Sequence, residues 1–154
     1  MLVGAVAVGN NPFRTWPSPP PTSSNPFADC LGIAVDAEEF GLWLSPHILI
    51  NTGRVIAQQL KWSADMVEVY LNELAGIAED SGAGVIEPEV TVTDCPDWED
   101  NQILALAADV GAILIVSDDV DLTSMSPWHG TPILRPREFV ARVDGIRRHN
   151  RSGR

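Results

Sequence analysis

Apolar residues recur at helical spacing in the segment that follows Ser63. The recurring positions are Met66, Val67, Tyr70, Leu71, Leu74 and Ile77, and the run ends at Ser81-Gly82. A period of three to four residues is typical of an amphipathic helix that buries one face. The pattern therefore predicts a helix whose apolar stripe packs on a core or on a second subunit.

Two earlier helices are predicted from their first residues. Asn25-Pro26 and Ser45-Pro46 each place a capping side chain before a proline. Such a pair favours a helix start, since the cap accepts a free N–H and proline needs none at the first position. The first helix is predicted to end before Gly41, and the second to run to about Leu60.

The second half of the chain shows a strand, helix and strand pattern. We expect strands at Val90–Thr93 and Ala112–Val116 and a helix at Trp98–Val110 between them. A short connection of this kind is a right-handed crossover between parallel strands. The chain is therefore predicted to belong to the α/β class.

Acidic residues follow both predicted strands. They are Asp94, Asp97, Glu99 and Asp100 after the first strand, and Asp118, Asp119 and Asp121 after the second. Carboxyl ends of parallel strands share one edge of a sheet, so these groups should converge. Clustered carboxylates suit Mg²⁺ or Mn²⁺, which prefer oxygen ligands. The alternative is that they cap helices and form a solvated turn.

Residues 100 to 122, from Asp100 through the Ala-rich helix and Gly111-Ala112 to Ser117-Asp118-Asp119-Val120-Asp121-Leu122, resemble the C-terminal half of a PIN domain. Residues 128 to 139 resemble the closing strand and last helix of that family. The resemblance implies a three-layer α/β/α, Rossmann-like domain with a central, mostly parallel sheet. It further implies that Asp100, Asp119 and Asp121 hold Mg²⁺ or Mn²⁺ and that Ser117 orients a carboxylate or a water molecule.

The chain departs from the family pattern at two places. Residues 41 to 51 resemble the family's strand and helix that carry a glutamate ligand, but the matching residue is Asn51. An amide oxygen can coordinate a metal, yet it supplies no charge and cannot act as a base. The leading aspartate of the family would lie before Met1.

Two functions are compatible with the resemblance. The toxin-like branch of the family implies a single-strand ribonuclease with Asp100, Asp119, Asp121, Ser117 and Asn51 at its site, an antitoxin protein as partner, and a homodimer. The alternative is a binding or assembly protein that keeps the fold with impaired catalysis. Asn51, the Pro-rich insertion at 10–26 and the absence of the leading aspartate from the printed residues favour it.

Composition sets the remaining expectations. The 154 residues are 45% hydrophobic, which predicts one domain over residues 1–148, with a Pro-rich insertion at 10–26 and a basic tail at 149–154. Two isolated cysteines and no long apolar run favour a cytoplasmic protein without a membrane span.

Charge is unevenly distributed along the chain. The net charge is −11, yet seven of the ten Lys and Arg residues follow Leu134. An acidic protein has no general attraction for a polyanion, so RNA would be bound through the metal and this basic helix. The alternative, favoured for Arg147 to Arg154, is a solvated arginine cluster that complements the dipole at the helix end. His47, His129 and His149 lack a nucleophilic partner at motif spacing and are predicted to be surface or packing residues.

Overall fold

The computed structural model of the protein describes residues 26–153. The apolar start of the chain, Asn25 and the predicted Pro-rich insertion up to residue 25 lie outside this range. The described chain is a mostly helical α/β structure. Within residues 26–153, no helix is both long enough and apolar enough to cross a membrane.

Ten elements follow one another along residues 26–153. They are α1 (Pro26–Asp36), β1 (Trp43–Leu44), α2 (Pro46–Gln59), α3 (Ala64–Asp80), β2 (Gly84–Val85), α4 (Trp98–Val110), β3 (Ile115–Val116), α5 (Val120–Thr123), β4 (Ile133–Leu134) and α6 (Pro136–Ser152). The last helix includes residues 149–152, which the sequence suggested were a basic tail.

The predicted helices are confirmed at positions where the sequence supplies a cap. Ser45 accepts the Ile48 N–H and opens α2, and Ser63 accepts the Met66 N–H and opens α3. In α3 the apolar stripe is divided, because Tyr70 and Leu74 are fully buried whereas Met66 is 46% exposed. Part of the stripe therefore belongs to the core.

The strands differ from the prediction. No strand forms at Val90–Thr93; the strand before α4 is β2, at Gly84–Val85. Pro88 follows it and has no N–H for a ladder, and the Glu89 N–H donates instead to the Asp109 carboxylate at 2.7 Å.

The four short strands form two separate parallel pairs. In one pair Leu44 of β1 lies opposite Val85 of β2, and in the other Val116 of β3 lies opposite Leu134 of β4. A cavity of about 660 Å³ between β1 and β3 is lined by apolar side chains and, at one end, by carboxylates. The strands thus pair in parallel, as expected, but those of the described residues do not form one continuous sheet.

Candidate metal centre

The first part of the site is the start of α4. Asp97 caps this helix, and its side chain accepts the Glu99 N–H at 2.8 Å. Asp100 follows in the first turn and is only 4% exposed. The local sequence therefore carries a carboxylate into the interior at the end of a helix.

The second part is the turn between β3 and α5. The buried Ser117 hydroxyl accepts the Asp119 N–H at 3.1 Å. Asp119 in turn caps α5, accepting the Asp121 N–H at 2.9 Å. These two bonds fix the direction in which the carboxylates of Asp119 and Asp121 leave the backbone.

The two parts meet in space. Asp100, Asp119 and Asp121 each present a carboxylate oxygen, and these three oxygens lie within 4.8 Å of one another. Asp100 is buried, whereas Asp119 and Asp121 are exposed. One ion could thus be held by all three residues and still be reached from solvent.

Electrostatics at the cluster disfavour its full ionisation. Burial, followed by the negative charges of Asp119 and Asp97, raises the pKa of Asp100 from 3.8 to about 6. A carboxyl group with like charges beside it gains from a cation or a proton. The donor set and its charge therefore fit a divalent cation that prefers oxygen.

Cys95 and Asn101 hold the segment in front of α4. The buried Asn101 amide accepts the Cys95 N–H at 2.9 Å and donates to the Cys95 carbonyl at 2.7 Å. The Cys95 thiol donates to Asp100 Oδ2 across 3.6 Å. Burial raises the pKa of this thiol, which keeps it protonated as a donor. Asp100 is thus oriented by a segment that Asn101 fixes.

Asn51 lines the same cavity from α2 but has a different partner. Its Oδ1 accepts a hydrogen bond from Arg54 Nη2, and the same guanidinium contacts Glu99 Oε1 at 3.0 Å. The amide oxygen that might serve as a ligand is thus engaged by a cation. Arg54 links Asn51 on α2 to Glu99 on α4 beside the carboxylates.

Asp94 and Asp118, like Asp97 and Glu99, were predicted to converge but lie outside the cluster of three carboxylates. The Asp94 carboxylate accepts from Trp128 Nε1 at 2.8 Å and contacts His129 Nε2 at 3.2 Å. These hydrogen bonds, that from Trp128 first, lower the pKa of Asp94. Asp118 is exposed on the turn. Asp94 therefore fastens the Trp128 turn to the segment before α4.

The prediction that His47 is a surface or packing residue is confirmed, and the structure adds that the residue belongs to the cavity wall. It lines the cavity from α2 and packs edge to face against Trp98, with ring centroids 4.9 Å apart. Its Nε2 is buried and has no hydrogen-bond partner among the described residues. The position of His47 in the first turn of a helix does not indicate that it lines a cavity, because the contact with Trp98 joins residues far apart in the chain.

Comparison of the chain with protein-family models, with curated protein sequences and with solved structures finds no match. The interpretation of the site therefore depends on its own geometry and on the resemblance of residues 100 to 122.

Proposed function

We propose that this protein is a metal-dependent endonuclease that cleaves single-stranded RNA, built on a PIN-like three-layer domain. The observation that carries the proposal is the convergence of the Asp100, Asp119 and Asp121 carboxylates within 4.8 Å. Carboxylate clusters of this kind position Mg²⁺ or Mn²⁺ for chemistry on phosphates. The choice of RNA and of a single strand comes from the resemblance to PIN ribonucleases.

The residues of the site have distinct roles in this proposal. Asp100, Asp119 and Asp121 hold the ion, which, when bound, supplies Lewis-acid activation of the phosphate and of a water molecule. Ser117 fixes the Asp119 backbone through its hydroxyl. The Cys95 thiol orients the Asp100 carboxylate. Arg54, hydrogen-bonded to Asn51 and Glu99, provides positive charge next to the start of α4.

The proposal includes the partners that the resemblance implies. An antitoxin segment with a basic side chain would satisfy the same carboxylates that a cation satisfies. The exposed apolar residues Met66 and Val69 of α3, which are 46% and 52% exposed, are the surface we assign to a homodimer contact.

Metal binding and RNA cleavage test the proposal directly. Purified protein titrated with Mn²⁺ should show one binding event that Asp119→Asn weakens at least about 10- to 100-fold. The same variant should abolish cleavage of a single-stranded RNA. Asp118→Asn removes an equal charge from the same turn and should leave both properties unchanged. Cleavage that survives Asp119→Asn would contradict the proposal.

The second candidate is a binding or assembly protein with impaired catalysis. The engagement of Asn51 by Arg54 favours it, because the position that would complete the ligand set is neutral and occupied. This candidate predicts no Mn²⁺ uptake at millimolar concentration. Asn51→Glu should then restore some uptake, since it returns a charged ligand to the cavity wall.

A further inference from the structure

Arg135 follows β4 directly, at the strand edge where the acidic cluster lies. Leu134 lies opposite Val116, and the Ser117 N–H donates to the Leu134 carbonyl at 2.9 Å. Arg135, the residue after β4, is therefore beside Ser117, which fixes Asp119. Neighbouring strands are about 4.8 Å apart, so a cationic side chain begins one strand away from the turn that carries two of the three carboxylates.

The Arg135 side chain is not used by the fold. It is exposed, and no carboxylate of residues 26–153 forms an ion pair with it. Glu138 accepts only the Arg135 backbone N–H, at 3.4 Å. By contrast, Arg147 is held by Glu39 and Asp36. The Arg135 guanidinium is thus available to an anion from outside the chain.

A second cavity lies against Arg135. Its volume is about 410 Å³, and its walls include Val120 and Thr123 of α5, Ser126, Ile133, Arg135 and Glu138. The Ser126 hydroxyl already accepts the Ile133 N–H at 2.8 Å, and Thr123 donates to the Val120 carbonyl at 3.3 Å. Of the described residues around this cavity, Arg135 is the one cation. Its wall is formed by the short helix that also carries Asp121.

The geometry points to this second cavity as a subsite for a phosphate of the RNA strand, next to the phosphate at the acidic cluster, with Arg135 as the positioning residue. The inference rests on the proposed function. A guanidinium binds phosphate through two parallel hydrogen bonds, a geometry that lysine cannot reproduce. In a chain of net charge −11, a local cation of this kind is needed to hold a polyanion near three carboxylates. The Glu138 carboxylate, in the same wall, repels a bound phosphate.

Steady-state cleavage and binding of a fluorescent single-stranded RNA with Mn²⁺ test the subsite. Arg135→Gln should raise KM about tenfold and leave kcat within about twofold, and Arg135→Lys should recover part of the loss. One lost phosphate contact should also reduce the slope of log affinity against log salt by about 0.7. Glu138→Gln should lower KM, because it removes a negative charge from the wall. Lys61→Gln is the control, since it removes an exposed cation between α2 and α3, outside the basic helix, and should leave KM and the salt slope unchanged.

The possible results separate the two proposals. If wild-type protein cleaves RNA but Arg135→Gln behaves like Lys61→Gln in KM and salt slope, the subsite is refuted and the nuclease stands. A fall in kcat with unchanged KM would also refute a positioning role for Arg135. If wild-type protein neither binds nor cleaves single-stranded RNA, the proposed function fails and the subsite fails with it.

Discussion

Replacement of Asp100 by asparagine should stabilise the protein when no metal is present. In the folded chain, burial and then the charges of Asp119 and Asp97 raise the pKa of Asp100 to about 6. Keeping this carboxylate ionised at neutral pH therefore opposes folding. Asparagine removes the charge, has nearly the same size, and retains an oxygen that can accept from the Cys95 thiol.

The pKa shift sets the size and the pH dependence of this effect. A shift from 3.8 to about 6 has a ceiling of about 3 kcal/mol, at about 1.4 kcal/mol per pKa unit. We expect Asp100→Asn to raise the free energy of unfolding by about 1 to 3 kcal/mol above pH 6. A carboxyl group whose pKa is raised by folding is neutral in both states below about pH 4, so the gain should vanish there.

Urea denaturation in a chelator at pH 4 and pH 7.5 measures the effect. Asp118→Asn is the control, since this exposed carboxylate should change the free energy by less than about 0.5 kcal/mol at either pH. With saturating Mn²⁺ the order should reverse, because wild-type protein gains binding free energy that the variant lacks. If Asp100→Asn is no more stable than wild type at pH 7.5 in chelator, the electrostatic account of the cluster is wrong.

Three further changes test the supports of the site and of the fold. Asn101→Ala should lower the free energy of unfolding by about 1 to 3 kcal/mol, because it leaves both backbone groups of Cys95 without a partner in the interior; chemical denaturation and Mn²⁺ titration should both detect the loss. Arg147→Gln should destabilise the contact between α1 and α6. Because the hydrogen bond from Arg147 lowers the pKa of Glu39, the loss in free energy of unfolding should be full above pH 4.5 and should shrink as the pH falls through the lowered pKa of Glu39. Urea denaturation at a series of pH values measures this loss. His47→Phe keeps a ring against Trp98 but removes the buried nitrogen, so the melting temperature should be unchanged or higher. A clear fall in melting temperature would mean that His47 Nε2 does have a hydrogen-bond partner.

The helices could be predicted from sequence because their signals are local. Ser45, Ser63 and Asp97 each cap the helix that the pattern placed after them. A cap bonds an N–H only two or three residues away, so no distant contact has to be known. Gly111 ends α4 in the left-handed conformation, at φ 61°, which glycine adopts without strain.

The strands could not be predicted in the same way. A strand is defined by its partner, and the partner of β2 is β1, about forty residues earlier in the chain. Val90–Thr93 has apolar and β-branched residues, but it forms no ladder. The strand before α4 is instead Gly84–Val85, a pair that carries little strand signal, and it pairs with β1 and not with β3. Pairing over long range therefore overrides local propensity here.

The meeting of the three carboxylates nevertheless follows from sequence, for a reason other than the expected sheet edge. Gly111 ends α4, and Ile115 of β3 packs in the same core cluster as Leu104 and Ala107 of α4. The start of α4, with Asp100, thus comes to lie near the end of β3, which leads to Asp119. The arrangement of Asn51, Arg54 and Glu99 depends on the packing of α2 against α4, and no local pattern indicates it.

Helix capping and metal binding were alternatives for these acids in the sequence, but at Asp119 the two roles are compatible. Its Oδ1 accepts the Asp121 N–H at 2.9 Å, while a carboxylate oxygen of the same residue belongs to the cluster. An ionised carboxylate has enough lone pairs for both. Asparagine at this position retains the capping oxygen and loses the charge, so Asp119→Asn should keep α5 folded and weaken Mn²⁺ binding at least about 10- to 100-fold. Alanine would remove both, and a loss of stability in Asp119→Ala but not in Asp119→Asn would separate the structural role of this residue from its chemical one.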